Sequence, residues 1–320
     1  MKENEILSID SLTANSPKQH EELFVWTDYC ELLCLANKEE ISLERIAQTI
    51  QKSWDFQPKD SPRNADAVTT KLTDAFSQMK LRKALLKGTY PFLIDKNTVR
   101  LQFQKKNKRT NIHYIFLLLA SNLTYVKKGI HHKLTSGFEK ICLDSLQYIF
   151  PNAKVKLFGA SNKEPSLSKS CKFKHGKLKD RIVELSTFIG QPYQNEIEVL
   201  KDNNVGDNGL DVIGVISLGD QRGSRPLLFV QCACSKDEWT QKQHTTSRSN
   251  WQKWLKLYDT SIQNFIMVPF WYMDNSKDWV DSTKITQNIM IDRLRLMKTI
   301  KIEESPKIDL MGSIENVFTR

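Results

Sequence analysis

The sequence predicts a mixed α/β fold, α+β overall, in which a mainly helical N-terminal half precedes a domain built on a mixed sheet. Three observations predict it. Apolar residues recur at helical spacing through residues 21–88. After Leu134 they gather instead into short runs of strand length, separated by single helices. Two of these runs flank a polar, Gly-containing turn in Gly206–Lys236, GDNGLDVIGVISLGDQRGSRPLLFVQCACSK, with Asp211 heading the first and Gln231 near the end of the second.

The chain has 320 residues, room for two domains, and its 40% hydrophobic and 26% charged residues are those of a globular protein. A formal charge of +10 and a pI of about 9.2 favour acidic partners, nucleic acid before an anionic membrane surface. Six scattered cysteines describe reduced thiols and a cytoplasmic setting, not a disulfide scaffold. The polar N-terminus has no signal-peptide core, and the longest apolar run, Tyr114 to Ala120, is too short to span a bilayer.

Taken in order, residues 1–20 read as a flexible arm, followed by a mainly helical domain over 21–130 for recognition or partner binding. Its helices are expected around Leu23–Cys34, around Ile46–Trp54 and up to Gly88; a hairpin turns at Asp95-Lys96-Asn97, and a basic turn leads into the apolar helix NIHYIFLLLASNLTYV. A second domain is expected over 131–320. It opens on the helix LTSGFEKICLDSLQYIF, which Pro151 closes, and continues with the strand AKVKLFG. An insertion near 160–205 carries a helix ending at Gly190. The two central strands follow, then a partly helical stretch, the buried strand NFIMVPFWY and a last amphipathic helix, ITQNIMIDRLRLMKTIKI.

Carboxylate and amide oxygens brought together at the ends of neighbouring strands make a hard-cation site. Asp211 and Gln231 are the candidates, and an amide is expensive to bury in an apolar strand without a partner. Gly206 and Gly209 let the backbone turn closely beside them. Asp207 sits where turns favour Asp in any case. Glu139 belongs to the pattern Ser136-x-x-Glu139, the spacing of a capping box as much as of a site. Cys232 and Cys234 alternate with Gln231 and face away from it, and Cys30 and Cys34 read as core thiols.

Phe138-Glu139 on a helix, a strand after it, then Gly206-Asp207-Asn208-Gly209-Leu210-Asp211 and Val230-Gln231-Cys232 at a strand end resemble the PD-(D/E)XK nuclease superfamily, and within it the Mrr-like restriction endonucleases. The resemblance covers roughly 134–270. It implies a restriction-endonuclease-like mixed-sheet core, αβββαβ with a helical insertion. The activity implied is Mg²⁺- or Mn²⁺-dependent endonucleolytic hydrolysis of DNA, in the setting of bacterial restriction or anti-phage defence. Asp211, Gln231 and Glu139 become the metal ligands, and these three with Lys236 the catalytic set. The family places its lysine two residues after the Gln, where this chain has Ala233. The nearest bases are Lys236 and Lys242, and Lys236 serves only if the strand ends or bends at Cys234-Ser235. The other reading is a nuclease-like domain without catalysis that binds nucleic acid or a partner subunit.

The partners expected are nucleic acid, first of all double-stranded DNA, and no membrane; a protein partner in a multi-component system and a homodimer stay open. Lys105, Lys106, Lys108 and Arg109, with Lys80, Arg82, Lys83, Lys87 and Arg100, form a basic face of the first domain. Lys172 and Lys174 belong to a second basic run beside the nuclease core, in which Phe173 is placed to stack on bases.

Overall fold

Ser8 caps a short first helix, α1 (Ile9–Ala14), its side chain accepting from Ser11 N. The expected flexible arm is therefore corrected over residues 6–20. Ile6, Leu7 and Leu12 are buried, Leu7 bridges Val126, and the hydroxyls of Tyr29 and Tyr125 donate to Leu12 O and Asn15 O. Three apolar side chains in an otherwise polar stretch suffice to anchor it. The structure, a computed structural model, describes residues 6–55, 65–158, 173, 177–200, 206–258, 262–300 and 308–318.

The chain divides into two compact units. One comprises Met1–Leu134, Phe270–Val280 and Asp309–Arg320; the other comprises Thr135–Pro269 and Asp281–Ile308. Two C-terminal stretches thus fall in the first unit, where the sequence placed all of 131–320 in the second.

In the first unit, α2 (Leu23–Asn37) is buried on every side. It ends at Lys38, whose left-handed backbone (φ 59°) returns its N–H to Cys34 O. Strand β1 (Ile41–Ser42) leads into α3 (Leu43–Asp55), and α4 (Ala65–Leu86) packs on α2. The expected hairpin forms as β2 (Phe92–Asp95) and β3 (Thr98–Leu101), with β1 on the other side of β3. Helix α5 (Lys108–Ala120) starts inside the basic stretch and buries every side chain from Asn111 to Ala120.

The second unit carries α6 (His131–Ile149) from Thr135 onward, β4 (Ala153–Leu157), α7 (Leu178–Ile189), β5 (Val212–Ile216), β6 (Leu227–Cys232), the single turns α8 (Trp239–Lys242) and α9 (Arg248–Trp251), and β7 (Ile262–Met267). Residues 285–302, expected as one helix, instead give β8 (Ile289–Ile291) and the short α10 (Arg293–Thr299). Register with β7 decides this: Phe265 to Met267 pair with Ile289 to Ile291 and extend the sheet by one strand. The last helix, α11 (Asp309–Phe318), packs on α5 in the first unit.

The five strands lie in sequence order, antiparallel from β4 to β6 and parallel from β6 to β8. Ile213, Val215, Leu227 and Phe229 share one face with Leu178, Ile182, Leu185 and Ile189 of α7 and with Trp251. The register sets Asp211 and Gln231 one step beyond the Val212–Val230 pair, at the same end of this face. The fold is mixed α+β, with the helix–strand–helix–strand–strand–helix–strand order expected after residue 134. Among the described residues no helix is long and apolar enough to cross a membrane.

Candidate active site

The turn Asp207-Asn208-Gly209-Leu210 delivers Asp211 to its place. Asn208 and Gly209 both have positive φ (53° and 74°), and Leu210 N donates to Asp207 O across the turn. Asp207 Oδ1 accepts from Gly209 N, so the turn role read for Asp207 is present. Gly209 is required twice over: a Cβ there would lie 2.2 Å from Thr245 Cβ as well as in a left-handed backbone. From the other side, the buried Arg181 of α7 donates to Phe158 O and Gly206 O, tying the end of β4 to the start of the turn.

Asp211 is 5% exposed. Its Oδ2 accepts from Gln231 Nε2 and Cys232 N, each at 2.6 Å; among the described residues no hydrogen bond ends on Oδ1. Burial pushes the carboxyl well above its ordinary range; the charges of Glu139 and Asp207 push the same way, against the Cys232 N–H and the charge of Lys242. The buried Asp211 is thus opposed by the charges of two half-buried carboxylates. Among the described residues, no three of the His, Cys, Asp and Glu side chains stand close enough together to hold a metal ion by themselves. Mg²⁺ does not ask for that: it keeps waters and takes one or two carboxylates, completed by substrate phosphate. A buried carboxylate with a free Oδ1, opposed by the charges of two others, fits such an ion.

The structure removes the capping-box role of Glu139. Helix α6 is already running at His131, so Ser136 lies inside it and caps nothing. Glu139 instead sits mid-helix, half-buried, with its charge acting on Asp211.

Gln231 is arranged differently from the expected ligand. Its Nε2 donates to Asp211, and its Oε1 accepts from Thr245 Oγ1 at 2.9 Å. It orients the carboxylate, and its oxygen is already engaged. Thr245 also reaches Gly209 O and Lys242 O. A half-turn of the amide would leave Nε2 on Thr245 Oγ1 and bring Oε1 beside Asp211 Oδ2.

Strand β6 ends at Cys232, and Lys236 follows in a turn, half-buried, so the break that its catalytic role requires is present. The charge of Lys242, at the end of α8 with Nζ 3.3 Å from Glu238 Oε2, bears on Asp211. The position two residues after Gln231 is a buried alanine, Ala233. Cys232 lies on the opposite side from Gln231, where its thiol meets Cys142 of α6. Cys30 and Cys34 are buried thiols of α2. Sequence reasoning missed Thr245 and Arg181. Arg181 had a signal, a cation on the apolar face between Leu178 and Leu185; Thr245, in a run of polar residues, had none.

Of the expected nucleic-acid contacts, Lys105, Lys106 and Arg109 are exposed at the start of α5, and Lys108 is paired with Glu315 of α11 at 2.7 Å. Arg82 is corrected: it is fully buried, not on a basic face. Phe173 is buried against Phe158 and Phe188, so it is core and not a stacking platform. Lys172 and Lys174 lie outside the described residues. No protein-family model, curated protein or solved structure matches the chain.

Proposed function

We propose that the second unit is a metal-dependent nuclease of the PD-(D/E)XK kind, hydrolysing phosphodiester bonds in DNA. The observation that carries this reading is the buried Asp211 at the head of β5, held through Oδ2 by Gln231 and Cys232 N at the end of β6, with Oδ1 free and the charges of Glu139 and Asp207 acting on it. Natural cores seldom keep like charges together without a cation. The expected helix–strand–strand–strand–helix–strand order and the mixed pairing support the same reading.

Asp211 Oδ1 and Glu139 would hold Mg²⁺ or Mn²⁺, which supplies Lewis-acid charge to the phosphate and lowers the pKa of a bound water. Gln231 and Cys232 N fix Asp211 Oδ2, so the free oxygen keeps one direction. Thr245 and Gly209 hold Gln231 and the turn. Lys242, whose charge bears on Asp211, takes the place of the missing strand lysine as the positive charge beside the phosphate. Lys105, Lys106 and Arg109 are proposed to contact phosphates, with Lys108 contributing less because of Glu315. Restriction or anti-phage defence is the setting this activity fits.

The second reading, a nuclease-like domain that binds nucleic acid or a partner without cutting, draws on two observations: the buried Ala233 and the Gln231 Oε1 already bonded to Thr245. Supercoiled plasmid and RNA incubated with the full chain separate the two. Cutting of DNA with Mg²⁺ or Mn²⁺, stopped by EDTA and lost in Asp211→Ala and Lys242→Met, is the result expected. Salt-sensitive retention of DNA by a folded protein that cuts neither polymer would establish the binding reading instead.

A further inference from the structure

A second polar site lies on the same face of the five-stranded sheet, at the other end of β5. Lys154 and Lys156 of β4, Val215 of β5, the last turns of α7 and the β5–β6 connection enclose a cleft of about 420 Å³. Val215 is four residues on from Asp211, roughly 13 Å along a strand. Close backbone contact builds the wall between α7 and the connection: a Cβ on Gly190 would lie 2.4 Å from Gln221 O, and one on Gly223 2.5 Å from Gly190 O.

Three cations and one carboxylate, Glu184, line this cleft. Arg225 is 2% exposed. Its Nη2 donates to Phe188 O at 3.1 Å, and its Nε is buried without an acceptor. Asp220 feels the charge of Arg225 but is hydrogen-bonded to Arg222. Lys156 is held by rings, its Nζ 5.0 Å from the centroid of Phe188 and 5.3 Å from that of Phe173. Lys154 is exposed. Among the described residues none of the three cations forms a salt bridge.

Burying a guanidinium without an anion is costly, and a bound anion would complete it. Three positive charges less one leave an excess of two, which matches a phosphate monoester at neutral pH (about −1.5 to −2) better than the single charge of a diester. Thr187 and Gln221 add a hydroxyl and an amide at the rim, and Phe188 offers an apolar wall. The volume falls within the range of sites that hold small ligands, roughly 300–1,000 Å³. We propose that this cleft binds a phosphate monoester carried on a nucleotide-sized group, whether a free mononucleotide or the 5′-phosphorylated end of a strand. The site is separate from the Asp211 cluster and independent of the nuclease reading.

Calorimetric titration of the full chain tests this with AMP, adenosine, and ten-nucleotide single strands bearing a 5′-phosphate or a 5′-hydroxyl. Binding of AMP, of the 5′-phosphorylated strand or of both is expected, with adenosine inert and the 5′-hydroxyl strand binding more weakly than its phosphorylated counterpart. AMP binding would identify the free nucleotide as a source, and binding of the phosphorylated strand alone would identify the strand end. Lys154→Glu, a change at an exposed position, is expected to weaken binding by about tenfold or more, and Arg225→Gln more still, while Asp211→Asn leaves it unchanged. No binding of either phosphate monoester at millimolar concentration would overturn the proposal. So would equal binding of adenosine, or full binding by a folded Lys154→Glu variant.

Discussion

Each unit of the molecule buries carboxylate, Asp28 and Glu31 in the first and Asp211 in the second, and the two sites are finished in opposite ways. In the first unit Asp28 and Glu31 of α2, both 0% exposed, meet Arg82 of α4, whose Nη1 lies 2.7 Å from Asp28 Oδ1 and 2.9 Å from Glu31 Oε1. Tyr90 and Tyr114 donate to Glu31, Ser121 and Asn122 donate to Asp28, and Gln78 accepts from Arg82. The guanidinium stacks over Trp271 at 5.2 Å. Burial works against its charge, but Glu31, Tyr114 and Asp28 outweigh that and hold it charged. In the second unit Asp211 has Gln231 and one N–H as hydrogen-bond donors, two neighbouring carboxylates, and Lys242 acting only through its charge. The first cluster carries its own guanidinium and is structural; one that lacks a counter-charge at its most buried member is where a ligand belongs.

Breaking the Arg82 cluster gives the largest effect. Arg82→Met leaves two buried carboxylates uncompensated and is expected to lower stability by about 3–5 kcal/mol in urea denaturation. Gly209→Ala comes next, at about 2–3 kcal/mol, because the added methyl meets Thr245 and the backbone there is left-handed.

Asp211→Asn acts in the other direction. A carboxyl with a raised folded-state pKa costs the folded state its full penalty above that pKa. The penalty fades as pH falls through it, and it is gone below the unfolded value of about 3.9. The variant is therefore expected to be more stable than wild type by about 0.5–2 kcal/mol at neutral pH, with the difference closing on acidification. A wild type that is the more stable at neutral pH would show that the cluster is as well satisfied as that of Arg82. The smallest effect is expected of Thr245→Val, about 0.5–1.5 kcal/mol, through the lost bonds to Gln231 and Lys242.

How far the sequence revealed this contrast depends on distance along the chain. The strands bearing Asp211 and Gln231 were legible because apolar runs bounded by Gly, Asn and Asp have one reading, and their register then forces the two side chains onto one face. Arg82 was not: among Lys80, Lys83 and Lys87 it looks like surface charge, and its partners lie 54 and 51 residues away. At Glu139 the local pattern could not decide between cap and site, since a capping-box spacing is identical inside a helix that began five residues earlier. Ile289–Ile291 read as helix because NIMIDRLRLM satisfies a helical period; only a neighbouring strand selects the extended form.

The central claim is that the Asp211 cluster is completed by a divalent cation. Mn²⁺ titrated into the full chain at neutral pH and followed by electron paramagnetic resonance tests it without substrate. Wild type is expected to bind one ion, with affinity falling as pH is lowered and Asp211 takes up its proton, while Asp211→Asn, though folded, binds none. Equal binding by wild type and Asp211→Asn, or no binding by either, would contradict the account.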